Sequence, residues 1–336
     1  MVKPSAIALL SGGLDSALAA ALTARLGFGV IGLNISTGFC TGQGRCDTVL
    51  ATGHRLDIPI RLMDASEEYL DVVRHPKHGY GSAMNPCLDC RVFLLNKAAE
   101  LMDEEGAEFV VSGEVLGQRP MSQHRRALNL VARESGLEDR LVRPLSGRLL
   151  GPTHPEKQGW VRRDDWLDIQ GRSRRRQLEL AAQWGIEEFT QPSGGCCILL
   201  EKSYARRLQD AFRHRDPQAL DREAFALLRH GRHFRLSEKT VAIIGRDEQE
   251  NAVLSRFSQG RWTMTFPEIP GPTALVEGEP SAEELEFTAR LAARYADAPP
   301  GSEVTLLARR DGEERKLRVT ALSPADPRLE RLRIDG

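Results

Sequence analysis

A short glycine-containing stretch near the start of the chain has the residue types of an anion-binding loop. Residues 6–10 are apolar, Ser-Gly-Gly-Leu-Asp-Ser follows, and an alanine-rich segment comes next. Glycines let the backbone approach a ligand, and the N–H groups that begin a helix attract phosphate. Because no lysine follows the glycines, the loop suits a pyrophosphate that leaves intact. The alternative is an ordinary turn with Ser or Asp capping the helix. The predicted binding residues are Ser11, Gly12, Gly13, Asp15 and Ser16, with Mg²⁺ nearby.

Six cysteines form a second set of chemically active residues. They are Cys40, Cys46, Cys87, Cys90, Cys196 and Cys197. Cytosolic proteins seldom form structural disulfides, so a C-x-x-C pair with a distant Cys-Cys favours metal or redox chemistry. Cys87 and Cys90 begin a predicted helix, where a thiol is more readily ionised.

Four arrangements of these thiols are open. Cys87, Cys90 and one of the Cys-Cys pair could hold a [4Fe–4S] cluster with one iron free to bind sulfide. One thiol could instead carry a persulfide that another resolves as a disulfide. All four could bind structural Zn²⁺, or they are unrelated buried thiols. We favour Cys196 as the third ligand because it directly follows the glycines of SGGCC. We expect Cys40 and Cys46 to be spare thiols, and the alternative is that they are accessory sulfur carriers.

The elements that position these residues alternate between strands and helices in the first half of the chain. This rhythm predicts an α/β fold, a parallel sheet covered by helices on both faces. The predicted strands are 6–10, 30–35, 58–63, 109–112 and 141–144. The predicted helices are 16–26, 47–56, 87–105 and 160–184. Residues 11–15, 34–38 and 113–118 follow strands, so they should meet in one crevice.

A different pattern begins near residue 235. Strands at 240–245, 261–266 and 273–278, a helix over 281–296, and a hairpin turning at Asp311 and Gly312 predict a smaller α+β domain. We expect a catalytic domain over 1–200, a basic helical linker over 201–234 and this second domain over 235–336.

The S-G-G-x-D-S motif at residues 11–16 resembles the signature of the PP-loop ATP pyrophosphatases. That resemblance implies a Rossmann-like fold of the adenine nucleotide alpha hydrolase type. It also implies cleavage of ATP to AMP and pyrophosphate, with adenylation of a carbonyl-type oxygen. Backbone groups near Asn34 would meet the adenine.

A second resemblance narrows the reaction. Gly113, Glu114, Gly117 and Gln118, followed by Arg-Pro-Leu at 143–145, are similar to elements of the tRNA 4-thiouridine synthetases, to which the tRNA 2-thiouridine synthetases are related. It covers about residues 3–200 and implies a tRNA sulfurtransferase that adenylates a uracil carbonyl and replaces its oxygen with sulfur. Gly113, Glu114 and Gln118 would join the nucleotide site. Cys87, Cys90 and Cys196 would deliver sulfur from sulfide or a sulfur-carrier protein.

The C-terminal part resembles the RNA-binding domain of NFACT proteins. Gly245, Arg246 and Asn251 match its Gly-Arg-x-x-x-x-Asn element, and residues 270–272 match its Pro-Gly-Pro. The resemblance implies RNA contact through Arg246, although the acidic middle of this segment opposes phosphate binding; the alternative is a packing module. In the catalytic half, helical spacing places Arg172, Arg175 and Arg176 on one face, a second candidate for RNA contact.

Composition places few limits on partners. The chain has 336 residues, 41% hydrophobic, with 46 basic and 47 acidic residues. No apolar stretch approaches the roughly 20 residues that span a bilayer, so we expect a cytoplasmic protein without membrane contact. Two other functions remain open: a sulfur transferase or ligase acting on a small molecule, and an RNA- or ribosome-binding protein whose catalytic half is vestigial.

Overall fold

In a computed structural model, which describes residues 4–40, 45–190 and 197–335, the chain divides into two units. The first unit is Met1–Ile198 and the second is Leu199–Gly336. The expected linker, 201–234, lies inside the second unit. Its Arg207 forms a buried ion pair with Asp335, because a charged side chain without solvent needs a partner.

The first unit contains the predicted parallel sheet. Its five strands lie in the order β3-β2-β1-β4-β5, and all the pairings are parallel. The strands are β1 Ser5–Leu9, β2 Gly29–Ser36, β3 Ile60–Asp64, β4 Phe109–Val111 and β5 Leu141–Val142. The chain order reverses between β1 and β4, which is where a doubly wound sheet opens a crevice for ligands.

Helices cover both faces of this sheet. Ala6 and Ala8 of β1 share a core with the first helix, while Ile7 points to the opposite face and shares a core with Leu95. The helices are α1 Leu14–Arg25, α2 Arg45–Leu56, α3 Ser66–Arg74, α4 Cys87–Glu104, α5 Arg125–Glu134, α6 His154–Lys157 and α7 Arg175–Trp184. The parallel α/β fold class is therefore confirmed.

The predicted helix over 160–184 is wrong for most of its length, since only α7 is an α-helix. Tertiary hydrogen bonds take the backbone of the preceding residues instead. Leu167 and Ile169 donate to carbonyls after β5, and Gly171 donates to Leu116 O at 2.8 Å. Trp166 is fully buried, which fixes this irregular segment against the sheet.

The second unit is an antiparallel sheet with helices, as expected for an α+β domain. Its six strands lie in the order β11-β10-β8-β9-β7-β6. They are β6 Arg232–Arg235, β7 Val241–Ile244, β8 Trp262–Thr265, β9 Ala274–Glu277, β10 Glu303–Arg310 and β11 Glu313–Thr320. The helices are α8 Lys202–His214, α9 Arg222–Leu227, α10 Glu248–Arg256, α11 Ala282–Ala293 and α12 Arg328–Leu332.

Sequence signals for the turns of this unit are confirmed. Asp311 and Gly312 both have positive φ, 47° and 89°, at the tip of the β10–β11 hairpin. One sheet face packs on α11 through residues such as Trp262 and Leu291, and the other packs on Leu227 and Leu254. Among the described residues, no helix is long and apolar enough to cross a membrane.

Candidate active site and RNA-binding surface

The glycine loop joins β1 to α1, and its carbonyl oxygens are held inside the protein. The Ser16 hydroxyl donates to Gly13 O at 2.8 Å and accepts from the Ser11 N–H at 3.2 Å. The N–H and hydroxyl of Thr190 both donate to Gly12 O at 2.8 Å. Gly12 has φ of 74°, a conformation that favours glycine. Because the first N–H groups of a helix lack intrahelical partners, the start of α1 keeps donors for an anion.

Asp15 lies in a network that joins three separate segments. Its Oδ2 accepts from Gln118 Nε2 at 2.7 Å and from the Arg174 guanidinium at 3.1 Å. Gln177 in turn donates to Gln118 Oε1 at 3.1 Å. The other carboxylate oxygen, Oδ1, is buried and has no hydrogen-bond partner among the described residues. A buried, unpartnered carboxylate oxygen beside an anion-binding loop is suited to a divalent cation.

Two of these residues were missed from the sequence. Arg174 was hidden in a segment interpreted as helix, although it belongs to the arginine run. Gln177 is fully buried in α7. A polar residue on the apolar face of that helix was the sequence signal that could have identified it.

Gly113 is where the loop after β4 touches the glycine loop. A Cβ at this position would lie 2.5 Å from Ser16 N and 2.6 Å from the Asp15 carbonyl carbon. Only glycine allows this approach. The two predicted elements are therefore in direct backbone contact.

Glu114 forms a buried ion pair. It is 2% exposed, and its carboxylate accepts from Arg143 Nε at 2.9 Å, with Arg91 Nε at 3.7 Å. Burial acts to raise the pKa of Glu114, but the charges of Arg143 and Arg91 outweigh it and lower the pKa. Arg143 comes from the Arg-Pro-Leu element, so this pair joins the two parts of the second motif. Glu114 thus serves the fold of the loop by this contact.

Asn34 lies within β2, and its side chain holds the strand ends together. Its Nδ2 donates to Leu10 O at 2.6 Å, directly before the glycine loop. Contact with adenine through backbone groups in this region stays a prediction.

Cys87 and Cys90 lie on the first turn of α4. Asn85 Nδ2 donates to Cys87 Sγ at 3.0 Å, and the Cys90 N–H donates to Pro86 O at 2.7 Å. Cys196 lies outside the described residues. Its neighbour Cys197 forms a backbone bridge with Cys40, so Cys197 lies beside the segment that follows β2.

Tyr69 of α3 marks where three thiols converge. It is 1% exposed, with the rings of Phe39 and Phe93 at 5.7 and 5.3 Å. Burial raises the pKa of Tyr69 well above its usual value, and the neighbouring Cys90, Cys197 and Cys87 raise it further; Cys90 also hydrogen-bonds its hydroxyl. No sequence signal singled out Tyr69, because it fits the apolar face of its helix.

One of these thiols, Cys87, lines a cleft. A cavity of about 320 Å³, open to solvent, is lined by residues that include His78, Tyr80, Cys87 and Met121. Within the described part of the chain, no group of three or more His, Cys, Asp or Glu side chains is arranged to hold a metal ion.

The arginines expected to contact RNA are placed differently. Arg172 precedes α7, so the prediction that Arg172, Arg175 and Arg176 share one helical face is wrong. The helix begins only at Arg175 because the backbone of the preceding segment forms tertiary hydrogen bonds instead. Arg175 pairs with Glu179 and Arg176 with Asp168.

In the second unit, Arg246 is in an ion pair with Glu250. Burial acts to raise the pKa of Glu250, but hydrogen bonds from Arg246 and from the Gly231 and Arg246 backbones bring it to about 2. The neighbouring motif residues are structural. Asn251 Oδ1 accepts from Thr273 N at 2.9 Å and would lie 2.1 Å from a Cβ on Gly245.

Comparisons with known proteins agree with both units. Residues 5–130 match the model of the tRNA methyl transferase HUP domain, and residues 231–328 match that of the NFACT protein RNA binding domain. The chain joins a PP-loop HUP domain to an NFACT-type RNA-binding domain. The HUP match contains the glycine loop, Cys87, Cys90 and Gln118, and the NFACT match contains Arg246 and Asn251.

Individual relatives are similar over part of their length. The tRNA-specific 2-thiouridylase MnmA of Xanthobacter autotrophicus is 26% identical over 144 residues, 38% of this chain and 37% of that protein. A 4-thiouridine synthetase in complex with RNA and ATP is 25% identical with a TM-score of 0.37, over 43% of this chain and 37% of that one. The U34-tRNA thiolase NcsA of Methanococcus maripaludis, with its [4Fe-4S] cluster, is 16% identical with a TM-score of 0.33, over 68% and 74%. The chain thus spans little more than a third of the curated relative that it matches.

Proposed function

We propose that this protein is an ATP-dependent tRNA sulfurtransferase that thiolates a uridine. The proposal rests on two contacts, one at the glycine loop and one at the thiols. Thr190 donates a hydrogen bond to Gly12 of the glycine loop. Cys197 forms a backbone bridge with Cys40, and its thiol lies near Tyr69. The loop follows β1 and Cys40 follows β2, and these strands are neighbours in the sheet. Activation and sulfur delivery would therefore share one edge of the sheet.

The first step is adenylation. The uracil carbonyl oxygen attacks the α-phosphate of ATP, a C–O–P bond forms, and pyrophosphate leaves. The start of α1 binds the pyrophosphate, and Asp15 Oδ1 is the ligand available for Mg²⁺. Arg174 neutralises charge at the same carboxylate. The step turns a poor leaving group into AMP.

The second step replaces oxygen with sulfur. A sulfur-carrier protein loads Cys90 as a persulfide, Cys197 attacks its inner sulfur, and a Cys90–Cys197 disulfide forms as hydrosulfide leaves. Hydrosulfide attacks the activated ring carbon, and AMP departs with the former carbonyl oxygen. A thiol reductant then restores both cysteines.

A [4Fe–4S] cluster is the competing source of sulfur. Cys87, Cys90 and either Cys196 or Cys197 would hold it, and an iron without a protein ligand would supply bound sulfide. Thiolate is the right donor type for such a cluster and for structural Zn²⁺. The described residues, which do not include Cys196, contain no group of three or more metal-binding side chains. The steps above are therefore written for the thiols alone, and the cluster stays a competing proposal.

The test uses the full chain, purified and reconstituted without oxygen, with ATP, sulfide or a persulfide donor, and unmodified tRNA. We expect a thionucleoside by mass spectrometry, together with AMP. With a persulfide donor, Cys90→Ser should abolish the thionucleoside while leaving pyrophosphate release intact; with added sulfide, which needs no persulfide, the variant should still form it. Cys46→Ser is the matched control, because Cys46 is exposed on α2.

The alternatives give different results. AMP formed at the same rate with and without tRNA, and no thionucleoside, would instead indicate a small-molecule acceptor. Binding of tRNA without any ATP cleavage would indicate an RNA-binding protein alone. Brown protein with absorbance near 400 nm that is lost in Cys87→Ser would favour the cluster over the persulfide.

A further inference from the structure

Helix α8 presents a row of exposed cations outside both matched segments. Lys202, Arg206 and Arg213 are exposed. They are four and seven residues apart, which places them on one face of the helix. They extend over about 16 Å of helix axis. The helix lies between residues 130 and 231, beyond the end of the HUP match and before the NFACT match.

The opposite face of α8 is fixed in the second unit. Tyr204, Leu208 and Ala211 are buried, and the Tyr204 hydroxyl donates to Phe225 O at 3.0 Å. The buried Arg207 donates to Leu228 O at 2.9 Å and pairs with Asp335. The row of cations is therefore carried by a rigid support and keeps its spacing.

These cations have no partner among the described residues, unlike several other arginines of the unit. Lys202, Arg206 and Arg213 form no hydrogen bond or ion pair with any described residue. The single acidic residue of α8, Asp210, is paired with Arg235 and His214. Other arginines of the unit are in ion pairs: Arg207–Asp335, Arg215–Glu277, Arg246–Glu250 and Arg261–Glu223.

We propose that the exposed face of α8 binds the phosphate backbone of the RNA substrate. The inference rests on the proposed function and names the surface that holds its substrate. Unpaired cations on a rigid face release counterions when they meet phosphates, which drives binding without reading sequence. Of the four residues expected from the sequence, Arg175, Arg176 and Arg246 are less suited, because each is matched by a carboxylate. The fourth, Arg172, is a single cation outside a helix. An anionic membrane surface fits less well, because α8 buries its apolar residues and exposes Ser203 and Gln209 between the cations.

The test is the charge reversal of all three cations in the full chain, Lys202→Glu, Arg206→Glu and Arg213→Glu. A matched control reverses Lys239, Arg256 and Arg331, which are exposed cations of the same unit without a common face. Affinity for unmodified tRNA is measured by fluorescence anisotropy at several salt concentrations. We expect the α8 variant to bind 10- to 100-fold more weakly, with a log–log salt slope smaller by about 2 to 3, and the control to change far less.

Other results separate this proposal from the proposed function. Equal tRNA affinity and salt slope in the α8 variant and the control would overturn the proposal that α8 binds RNA. So would an α8 variant that no longer binds anionic vesicles but binds tRNA as well as the wild type. Wild-type protein that binds tRNA through α8 but forms no thionucleoside would leave the surface standing and reject the thiolation. Circular dichroism and thermal melting should be the same for both variants, since the substituted side chains are exposed.

Discussion

Asp15 in the glycine loop accepts a hydrogen bond from Gln118 at 2.7 Å, although 103 residues separate them. Gln177 holds the amide of Gln118 from the other side, so the amide can present only its NH₂ group to Asp15. This arrangement fixes one carboxylate oxygen and leaves Oδ1 to a cation. An outer amide that orients a metal ligand commonly affects metal affinity as strongly as a ligand does.

Removal of the Gln118 amide should therefore weaken Mg²⁺ binding. We expect Gln118→Ala to raise the Mg²⁺ concentration for half-maximal AMP formation by roughly 10- to 100-fold. Gln158→Ala is the control, since Gln158 is exposed at the end of α6. An unchanged Mg²⁺ dependence would show that the amide does not orient Asp15 for the cation.

Neighbouring arginines at the start of α7 should differ sharply in their effect. Arg174 contacts Asp15 and its side chain is 25% exposed, whereas that of Arg175 is 86% exposed and pairs only with Glu179. We expect Arg174→Ala to slow ATP-dependent AMP formation by about tenfold or more, because the ion pair that holds Asp15 in the glycine loop is lost. Arg175→Ala should keep at least half of the rate. Equal losses in the two variants would contradict a role for Arg174 at the loop.

Glu114 should matter for stability rather than for the reaction. Its removal leaves Arg143 as a buried charge, and breaking such a pair costs about 3 to 5 kcal/mol. Glu114→Gln should lower the free energy of unfolding by that amount in urea titrations. Glu179→Gln, on an exposed pair of the same unit, should cost no more than about 1 kcal/mol. Intact stability with abolished AMP formation would instead place Glu114 in the reaction.

Much of the fold of both units could be predicted because its signals are local. The apolar run before the glycine loop, the alanine-rich α1 and the Asp-Gly hairpin of the second unit each identify one element. The network around Asp15 could not, because it depends on where residues 167–171 lie. Those residues form backbone hydrogen bonds to the loops after β4 and β5. Local helix and strand propensities do not predict such long-range contacts.

The thiols show the same limit. Spacing identified Cys87 and Cys90 as a pair, but it could not rank the adjacent cysteines at 196 and 197. The described backbone places Cys197 beside Cys40 and brings its thiol near Tyr69, which favours Cys197 as the partner of Cys90. Cys196 stays a prediction.

Acid should destabilise the second unit before its carboxylates titrate. Burial, ahead of the nearby Arg207 charge, lowers the pKa of His233 to about 3, and burial also lowers the pKa of His230. The unfolded chain binds these protons near pH 6.5, so native stability is present above that pH and is lost as pH falls toward 3. From pH 6.5 to 5, His233 should account for a loss of roughly 2 kcal/mol.

Hydrogen exchange of β7, which pairs with the strand of His233, provides the measurement. The exchange protection of β7 is measured at pH 6.5 and at pH 5 in both proteins. Between these two pH values, wild-type protein should lose more protection than His233→Gln. His54→Gln, an exposed histidine of the other unit, should follow the wild type. A pH dependence that is identical in wild type and His233→Gln would exclude His233 as the source.

The Tyr69 hydroxyl should position the Cys90 sulfur for sulfur transfer. Tyr69 is buried, and its hydroxyl hydrogen-bonds the half-buried Cys90 thiol. A hydrogen-bond donor to sulfur favours the charged form, which is the nucleophile. A phenylalanine at this position lacks that donor. We expect Tyr69→Phe to slow iodoacetamide alkylation of Cys90 several-fold at neutral pH, and thionucleoside formation by a similar factor.

Tyr80→Phe is a close control for this change. The Tyr80 hydroxyl donates to Val73 O at 2.6 Å, and burial raises the pKa of Tyr80. Tyr80→Phe therefore loses the same atom while the lost hydrogen bond is to a backbone carbonyl. Peptide mapping by mass spectrometry gives the alkylation rate of each cysteine separately. Cys46 should react at one rate in all three proteins. If Cys90 in Tyr69→Phe reacts as fast as in Tyr80→Phe, the hydroxyl has no influence on the thiol, and the aromatic ring alone supports the site.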